Sequence, residues 1–71
     1  MTEVYTVKEV AEILKTNVTY VYTLRDAGLL TFLKLGQWKV TKKELDRFLE
    51  SSQGMDLTDP YHPKRIANAR S

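Results

Sequence analysis

The sequence feature that most constrains the fold is the stretch over residues 17–30, which carries both a helix start signal and a helix stop signal. Asn17 is expected to cap the first turn, because its side-chain oxygen accepts a backbone N–H that has no helical partner. Gly28 is expected to end the helix, because glycine adopts a left-handed backbone without steric cost. Val21 and Leu24 fall on the same side as Gly28 at 3.6 residues per turn. The rest of the chain must therefore provide a core for this side.

The opposite side of the same helix carries hydroxyls and aromatic rings on a narrow ridge. Thr19 and Thr23 lie opposite the apolar side, and Tyr20 and Tyr22 lie on its two flanks. Such a ridge suits the major groove of DNA, where hydroxyls bond base edges or phosphates and a threonine methyl contacts a thymine methyl. The pattern therefore indicates a recognition helix, with modest affinity because it lacks the bidentate fork of arginine.

An amphipathic helix is predicted just before it, over residues 7–15. Thr6 and Glu9 have the spacing of a capping box, in which each side chain serves the other residue's backbone N–H. The apolar side has helical spacing and consists of Val7, Val10, Ala11 and Leu14. Its charges are expected to form a solvated face, with Lys8 as the exception that borders a phosphate strand. Two short helices joined by residues 15–17 make a helix-turn-helix.

The pattern becomes extended after residue 30. The β-favouring runs 31–35 and 38–40 flank the turn residues Gly36 and Gln37 and predict a two-stranded hairpin. Its covered face is predicted to consist of Phe32 or Leu33, Leu35 and Val40. An isolated hairpin of this size is barely stable in water, so it must lean on the helices.

The tip of this hairpin is a second candidate contact with DNA. Trp38 and Lys39 are predicted at or just beyond the tip, where a cation beside a ring suits a phosphate backbone or a minor groove. Alternatively, Trp38 covers the hairpin and packs on the first helix, or it has a mixed role. Lys34 on the first strand is expected to add grip on phosphate.

A third helix is predicted over residues 42–50. Residues 41–44 read T-K-K-E, which predicts a second capping box between Thr41 and Glu44. The apolar side of this helix is predicted to close the core with Leu45, Phe48 and Leu49. Its polar side is expected to be mostly solvated, with Lys42 and Lys43 as candidate contacts with the DNA backbone.

The chain changes character at residue 51. Residues 51–54 have the composition of a linker, and the apolar residues after them show no sustained helical or strand spacing. Residues 1–50 are therefore predicted to form one domain and residues 51–71 a flexible tail that folds on DNA or on a protein partner. The basic run 64–70 is a candidate short helix, although an isolated helix of seven residues is only marginally stable.

Composition excludes several classes of protein. The 71 residues include no cysteine and one histidine, His62 in the tail, so neither a metal site, a cofactor nor catalysis is expected. No apolar run approaches the roughly 20 residues that span a bilayer, and the N-terminus lacks a signal-peptide pattern, so a cytoplasmic location is expected. The net charge of +2 is a mild indication of a polyanionic partner.

Residues 5–50 resemble a known family, the excisionase-type winged helix-turn-helix domain, which is a relative of the MerR-like DNA-binding domain. The matching pieces, in order, are YTVKEVAEIL at 5–14, VTYVYTLRDAGLL at 18–30, LKLGQWKV at 33–40 and KELDRFL at 43–49. Each piece is moderately specific, and all four at these spacings make a strong match over about two-thirds of the chain.

The resemblance implies a mainly α fold with a small β-hairpin as the wing. The second helix then occupies the major groove, and the wing lies against the flanking backbone or minor groove. Family members of this size serve as recombination directionality factors of phages and integrative elements, or as small transcription regulators. They commonly bind repeated sites side by side and bend the DNA. The positions carried over are Thr19, Tyr20, Tyr22, Thr23, Gln37, Trp38 and Lys39.

The expected partners are double-stranded DNA, a site-specific integrase and neighbouring copies of the chain itself. Family members often carry basic residues at positions where this helix has hydroxyls and rings. The affinity for the DNA phosphates must therefore come from lysines elsewhere, from the tail or from a neighbouring copy. A protein-interaction module on the same fold, such as an anti-repressor, is the remaining alternative. The complete predicted set of DNA-contacting residues is Lys8, Asn17, Thr19, Tyr20, Tyr22, Thr23, Lys34, Gln37, Trp38, Lys39 and Lys42.

Overall fold

A computed structural model describes residues 3–66 as three helices and five short strands. The helices are α1 (Val7–Ile13), α2 (Val18–Asp26) and α3 (Lys42–Ser51). The strands are β1 (Val4–Thr6), β2 (Leu33–Leu35), β3 (Gln37–Thr41), β4 (Met55–Asp56) and β5 (Lys64–Arg65). The predicted winged helix-turn-helix is confirmed. No helix in this part of the chain is long and apolar enough to cross a membrane.

The wing is the hairpin of β2 and β3, and it belongs to a three-stranded antiparallel sheet in the order β1-β3-β2. The predicted two-stranded hairpin is therefore incomplete. The sequence pattern does not indicate β1, which pairs Val4 with Thr41 and Thr6 with Lys39. Three strands supply the support that a lone hairpin lacks, and β3 lies at the centre of the sheet.

Helix α1 begins at a capping box and ends in a hydrogen-bonded turn. The capping box of Thr6 and Glu9 is confirmed, with both reciprocal bonds present. Helix α1 ends two residues earlier than predicted, because the N–H groups of Lys15 and Thr16 turn back to the carbonyls of residues 12 and 11. Lys15 has a φ of 58°, in the left-handed region that favours glycine. The turn geometry thus outweighs the local preference of a lysine.

Helix α2 begins and ends as predicted. The Oδ1 atom of Asn17 accepts the N–H of Tyr20 at 2.8 Å. Gly28 has a φ of 81°, and the N–H groups of Gly28 and Leu29 donate to the carbonyls of Arg25 and Leu24. This pair of bonds satisfies carbonyls at the end of the helix and releases the chain toward the wing.

The core lies between the helices and β3. Its buried residues are Val7, Val10, Ala11, Val21, Leu24, Leu30, Val40, Leu45 and Phe48. Two predicted core residues are wrong: Leu35 is 60% exposed and Leu49 is 40% exposed. Leu35 lies at the wing tip, beyond the reach of the helices. Leu49 follows Phe48 around α3 and faces away from the buried side.

The second predicted capping box forms only in part. Thr41 Oγ1 accepts the N–H of Glu44 at 3.0 Å, but the Glu44 carboxylate bonds elsewhere. It accepts the N–H of Thr31 at 3.0 Å and pairs with Arg47, whose guanidinium also donates to the carbonyl of Leu29. Thr41 also ends β3, where it pairs with β1. Glu44 therefore joins α3 to the segment between α2 and the wing.

We expect Glu44→Gln to lower the free energy of unfolding by about 1 kcal/mol at neutral pH, because it removes a half-buried charged acceptor. The bonds from Arg47 and then from the N–H of Thr31 lower the pKa of Glu44. A lowered pKa stabilises the fold above the pH at which the unfolded carboxyl ionises, about 4.3. Urea unfolding should therefore show a difference between wild type and variant at pH 7 that disappears as the pH falls through the folded pKa. A difference that did not shrink as the pH was lowered would contradict this role.

The segment after α3 folds back as a small ribbon, which we define as residues 55–65, comprising β4, β5 and the turn between them. Lys64 and Arg65 pair with Asp56 and Met55, so the predicted helix over 64–70 is wrong at its start. Residues 67–70 of that prediction lie outside the described residues. The predicted boundary at residue 50 and the flexibility of the tail stay predictions.

Candidate nucleic-acid interface

The open side of α2 carries the two threonines that we call the threonine ridge, Thr19 and Thr23. Thr19 is exposed and Thr23 is half-buried, whereas Val21 and Leu24 on the opposite side are fully buried. The predicted division of α2 into an apolar and a polar side is therefore confirmed. The rigid caps at both ends present this ridge on a defined helix axis.

The hydroxyl of Thr23 uses its proton in a hydrogen bond within the helix. Thr23 Oγ1 donates to the carbonyl of Thr19, four residues earlier, at 2.9 Å. Because its proton is used within the helix, the Thr23 hydroxyl offers lone pairs to a partner. In a major groove it would accept from an exocyclic amino group, which adenine presents at N6 and cytosine at N4.

The wing contacts α2 through a group of rings that the sequence analysis did not assemble. Tyr22, Phe32 and Trp38, which we call the aromatic cluster, surround the guanidinium of Arg25. The guanidinium carbon lies 5.0 Å, 5.5 Å and 5.2 Å from the three ring centroids in that order. Arg25 also pairs with Asp26 at 2.9 Å. Stacking of this kind holds the wing against the second half of α2.

Arg25 is therefore a site residue that the sequence reasoning missed. The available signal was its spacing of three residues from Tyr22, which places both on one face of the helix. The contribution of Phe32 and Trp38 depends on the fold of the wing and has no local signal. Trp38 thus packs against Phe32 and against Arg25 of α2, and its contact with DNA stays a prediction.

The wing residues lie nearer to the body than predicted. Leu35 and Gln37 form the last pair, with Gly36 at the tip. Trp38 and Lys39 therefore lie one and two pairs before the tip, instead of at it or beyond it. Among them Gln37 is exposed, and Trp38 and Lys39 are half-buried.

Lys34 stands across the strand pair from Trp38. Its Nζ atom lies 4.7 Å from the Trp38 ring centroid, and its side chain is exposed. Two cations thus lie close to the indole, Arg25 from α2 and Lys34 from the wing. This arrangement orients an exposed positive charge on the wing beside the recognition helix.

A depression of about 410 Å³ separates the wing from the start of α1 and brings four predicted site residues together. These four are Lys8, Tyr22, Gln37 and Trp38, and the remaining lining comes from Thr6, Val7 and Val18. Its lining is mainly apolar and aromatic, with Lys8 as its one cation. Lys8 is exposed at this depression, and its contact with a phosphate strand stays a prediction.

Tyr20 lies on the other flank of α2 and faces the ribbon. Its hydroxyl donates to the carbonyl of Leu57, and its ring is half-buried. Burial, and then the charge of Asp56, raise the pKa of the Tyr20 hydroxyl above its usual value. Its hydroxyl is therefore engaged within the chain, and its contact with DNA stays a prediction.

Two further predicted residues lie outside the group around the wing. The Nζ atom of Lys42 is paired with Asp46 at 2.9 Å, and this bond raises the pKa of Lys42. Asn17 serves as the cap of α2. The structure thus gives each of these two side chains an intramolecular role.

Comparison with known proteins gives one match. A family model described as a helix-turn-helix domain matches residues 4–53, which include β1, all three helices and the wing. No curated protein matches the chain significantly, and neither does any solved structure.

Proposed function

The chain belongs to the helix-turn-helix domain family, and on this premise we propose that it binds double-stranded DNA with α2 in the major groove and the wing against the flanking backbone. The observation that carries the proposal is the threonine ridge on the open side of α2, beside a wing that Arg25 holds in place. Lys8, Lys34 and Lys39 then supply phosphate contacts. The protein itself breaks no bond in this proposal.

We further propose that this DNA binding serves excision of a phage or integrative element, as in the family that residues 5–50 resemble. Copies of the chain would bind repeated sites at the attachment region, bend the DNA and direct a site-specific integrase toward excision. The ridge carries hydroxyls instead of cations, so single-site affinity is modest. Adjacent copies raise the effective concentration for one another and multiply weak contacts.

A small transcription regulator is the second candidate, because it would use the same ridge and wing. A protein-interaction module would instead use Tyr20, Tyr22 and Trp38 as an aromatic patch. These rings already contact Leu57 or Arg25 within the chain. This observation favours DNA over a protein as the partner.

A mobility-shift titration tests the DNA proposal. The full chain should shift a fragment from the attachment region of its own element as a ladder of complexes, since copies occupy neighbouring sites. The shift should weaken steeply between about 50 and 200 mM salt, as phosphate contacts release counterions. Absence of any complex at the lower salt concentration would reject DNA binding and favour the interaction module.

A recombination assay separates the two DNA-binding roles. With purified integrase and both attachment substrates, the protein should promote excision and leave integration unassisted. Binding without any effect on recombination, together with altered transcription from a bound promoter, would instead identify a regulator. A footprint with and without integrase would show the number of bound copies.

A further inference from the structure

The ribbon is anchored to the flank of α2 that faces away from the wing. Tyr20 and Tyr22 are two residues apart and point to opposite flanks, about 200° around the helix. Tyr22 contacts the wing, and the hydroxyl of Tyr20 donates to the ribbon at Leu57. Leu57 also packs against the core. Two hairpins thus border the same recognition helix, one on each side.

The ribbon carries two carboxylates, which bond groups within the ribbon, and two cations, which lie on β5. The carboxylate of Asp56 accepts from Thr58, and that of Asp59 accepts from the N–H of Tyr61 and lies 3.1 Å from the His62 ring. The carboxylates are therefore turned onto the connecting turn. Lys64 and Arg65 on β5 are exposed.

The strand register distinguishes the two cations. Lys64 stands opposite Asp56, which partly offsets its charge, whereas Arg65 stands opposite Met55. Opposite residues of an antiparallel pair project to the same face. Met55 and its neighbour Asp56 line a depression together with Tyr20 and Thr16, at the start of α2. Arg65 therefore lies on the face of the ribbon that carries Met55, and no carboxylate stands opposite it in the strand pair.

We propose that the ribbon is a second wing, which contacts the DNA backbone on the side of α2 opposite the first wing, with Arg65 as its main phosphate contact. This inference rests on the proposed DNA binding. A helix in the major groove has a phosphate strand on either side. The first wing serves one strand, and the ribbon is placed to serve the other. The ribbon also provides charged contacts with phosphate, which the uncharged threonine ridge cannot provide.

The test compares Arg65→Gln with the charge-preserving control Arg65→Lys in the full chain, on the DNA fragment described above. For Arg65→Gln we expect affinity to fall roughly five- to tenfold near 0.1 M salt, and the slope of log K against log salt to decrease by about 0.9. Arg65→Lys should keep the slope. Circular dichroism should show an unchanged fold for both, because the side chain is exposed.

Other outcomes would overturn the proposal in distinguishable ways. Unchanged affinity and slope for Arg65→Gln would remove the ribbon from the interface while leaving DNA binding intact. Tighter binding would mean that the ribbon covers the DNA site. A wild-type chain that binds no DNA at low salt would reject the underlying function instead.

A second variant tests the anchor. Tyr20→Phe keeps the ring and removes the hydroxyl that donates to Leu57. If this bond positions the ribbon, the losses from Tyr20→Phe and Arg65→Gln should be less than additive in the double variant, since both act through one contact. Additive losses would contradict the positioning role of Tyr20.

Discussion

Replacing Thr19 and Thr23 together by valine is expected to lower the affinity for the specific DNA site roughly 30-fold or more, at about 1 kcal/mol or more per lost base contact. Valine keeps the shape and the methyl groups of threonine, so the change removes only the two hydroxyls. Affinity for unrelated DNA and the salt dependence should stay unchanged, because phosphate contacts lie elsewhere. Competition titrations with specific and unrelated fragments measure both quantities.

Thr31→Val is the matched control for this experiment. Thr31 is exposed on the segment before the wing, and its backbone N–H contacts Glu44 of α3. The Thr31→Val variant should bind both DNA fragments with the affinity of the wild type. If the ridge variant lost affinity for specific and unrelated DNA equally, the threonines would act in docking and not in base recognition.

Arg25→Met is expected to loosen the wing. It keeps an unbranched side chain and removes the cation that three rings surround, at about 1–2 kcal/mol of stability. For a domain of this size the melting temperature should fall by roughly 5–10 °C. Affinity for DNA should fall by about tenfold, because a mobile wing must be ordered on binding. Thermal unfolding and DNA titration measure the two effects.

Trp38 provides a direct reporter of this change, since it is the single tryptophan of the chain. Its emission should shift to longer wavelength and become more accessible to a quencher in Arg25→Met. Arg25→Lys should be intermediate, because an ammonium keeps the charge and loses planar stacking. Unchanged Trp38 emission with weakened DNA binding would mean that Arg25 contacts DNA itself.

The structure also changes which residues suit a test of recognition. The sequence places Tyr20 beside the ridge, but its ring is half-buried and its hydroxyl donates to Leu57. Tyr20→Ala would therefore remove packing as well as a surface group. The two threonines are better targets, because they lie on the open side of α2.

The elements that could be predicted from the amino-acid sequence are those whose signals are local. Caps at Thr6, Asn17 and Thr41, the glycine at residue 28 and the helical spacing of apolar residues all act over three to six positions. Their energies depend on neighbours along the chain, so they can be read without knowing the fold. The buried and open sides of the recognition helix follow from the same spacing.

How these elements pack against one another depends on contacts between residues that are far apart in the sequence. The pairing of β1 with β3, the enclosure of Arg25 by rings from α2 and the wing, and the bond from Tyr20 to Leu57 all join residues distant in sequence. Glu44 shows the competition between the two levels, because its carboxylate leaves the local capping box for Thr31 and Arg47. Such contacts depend on where the fold places each partner, and no local pattern encodes that position.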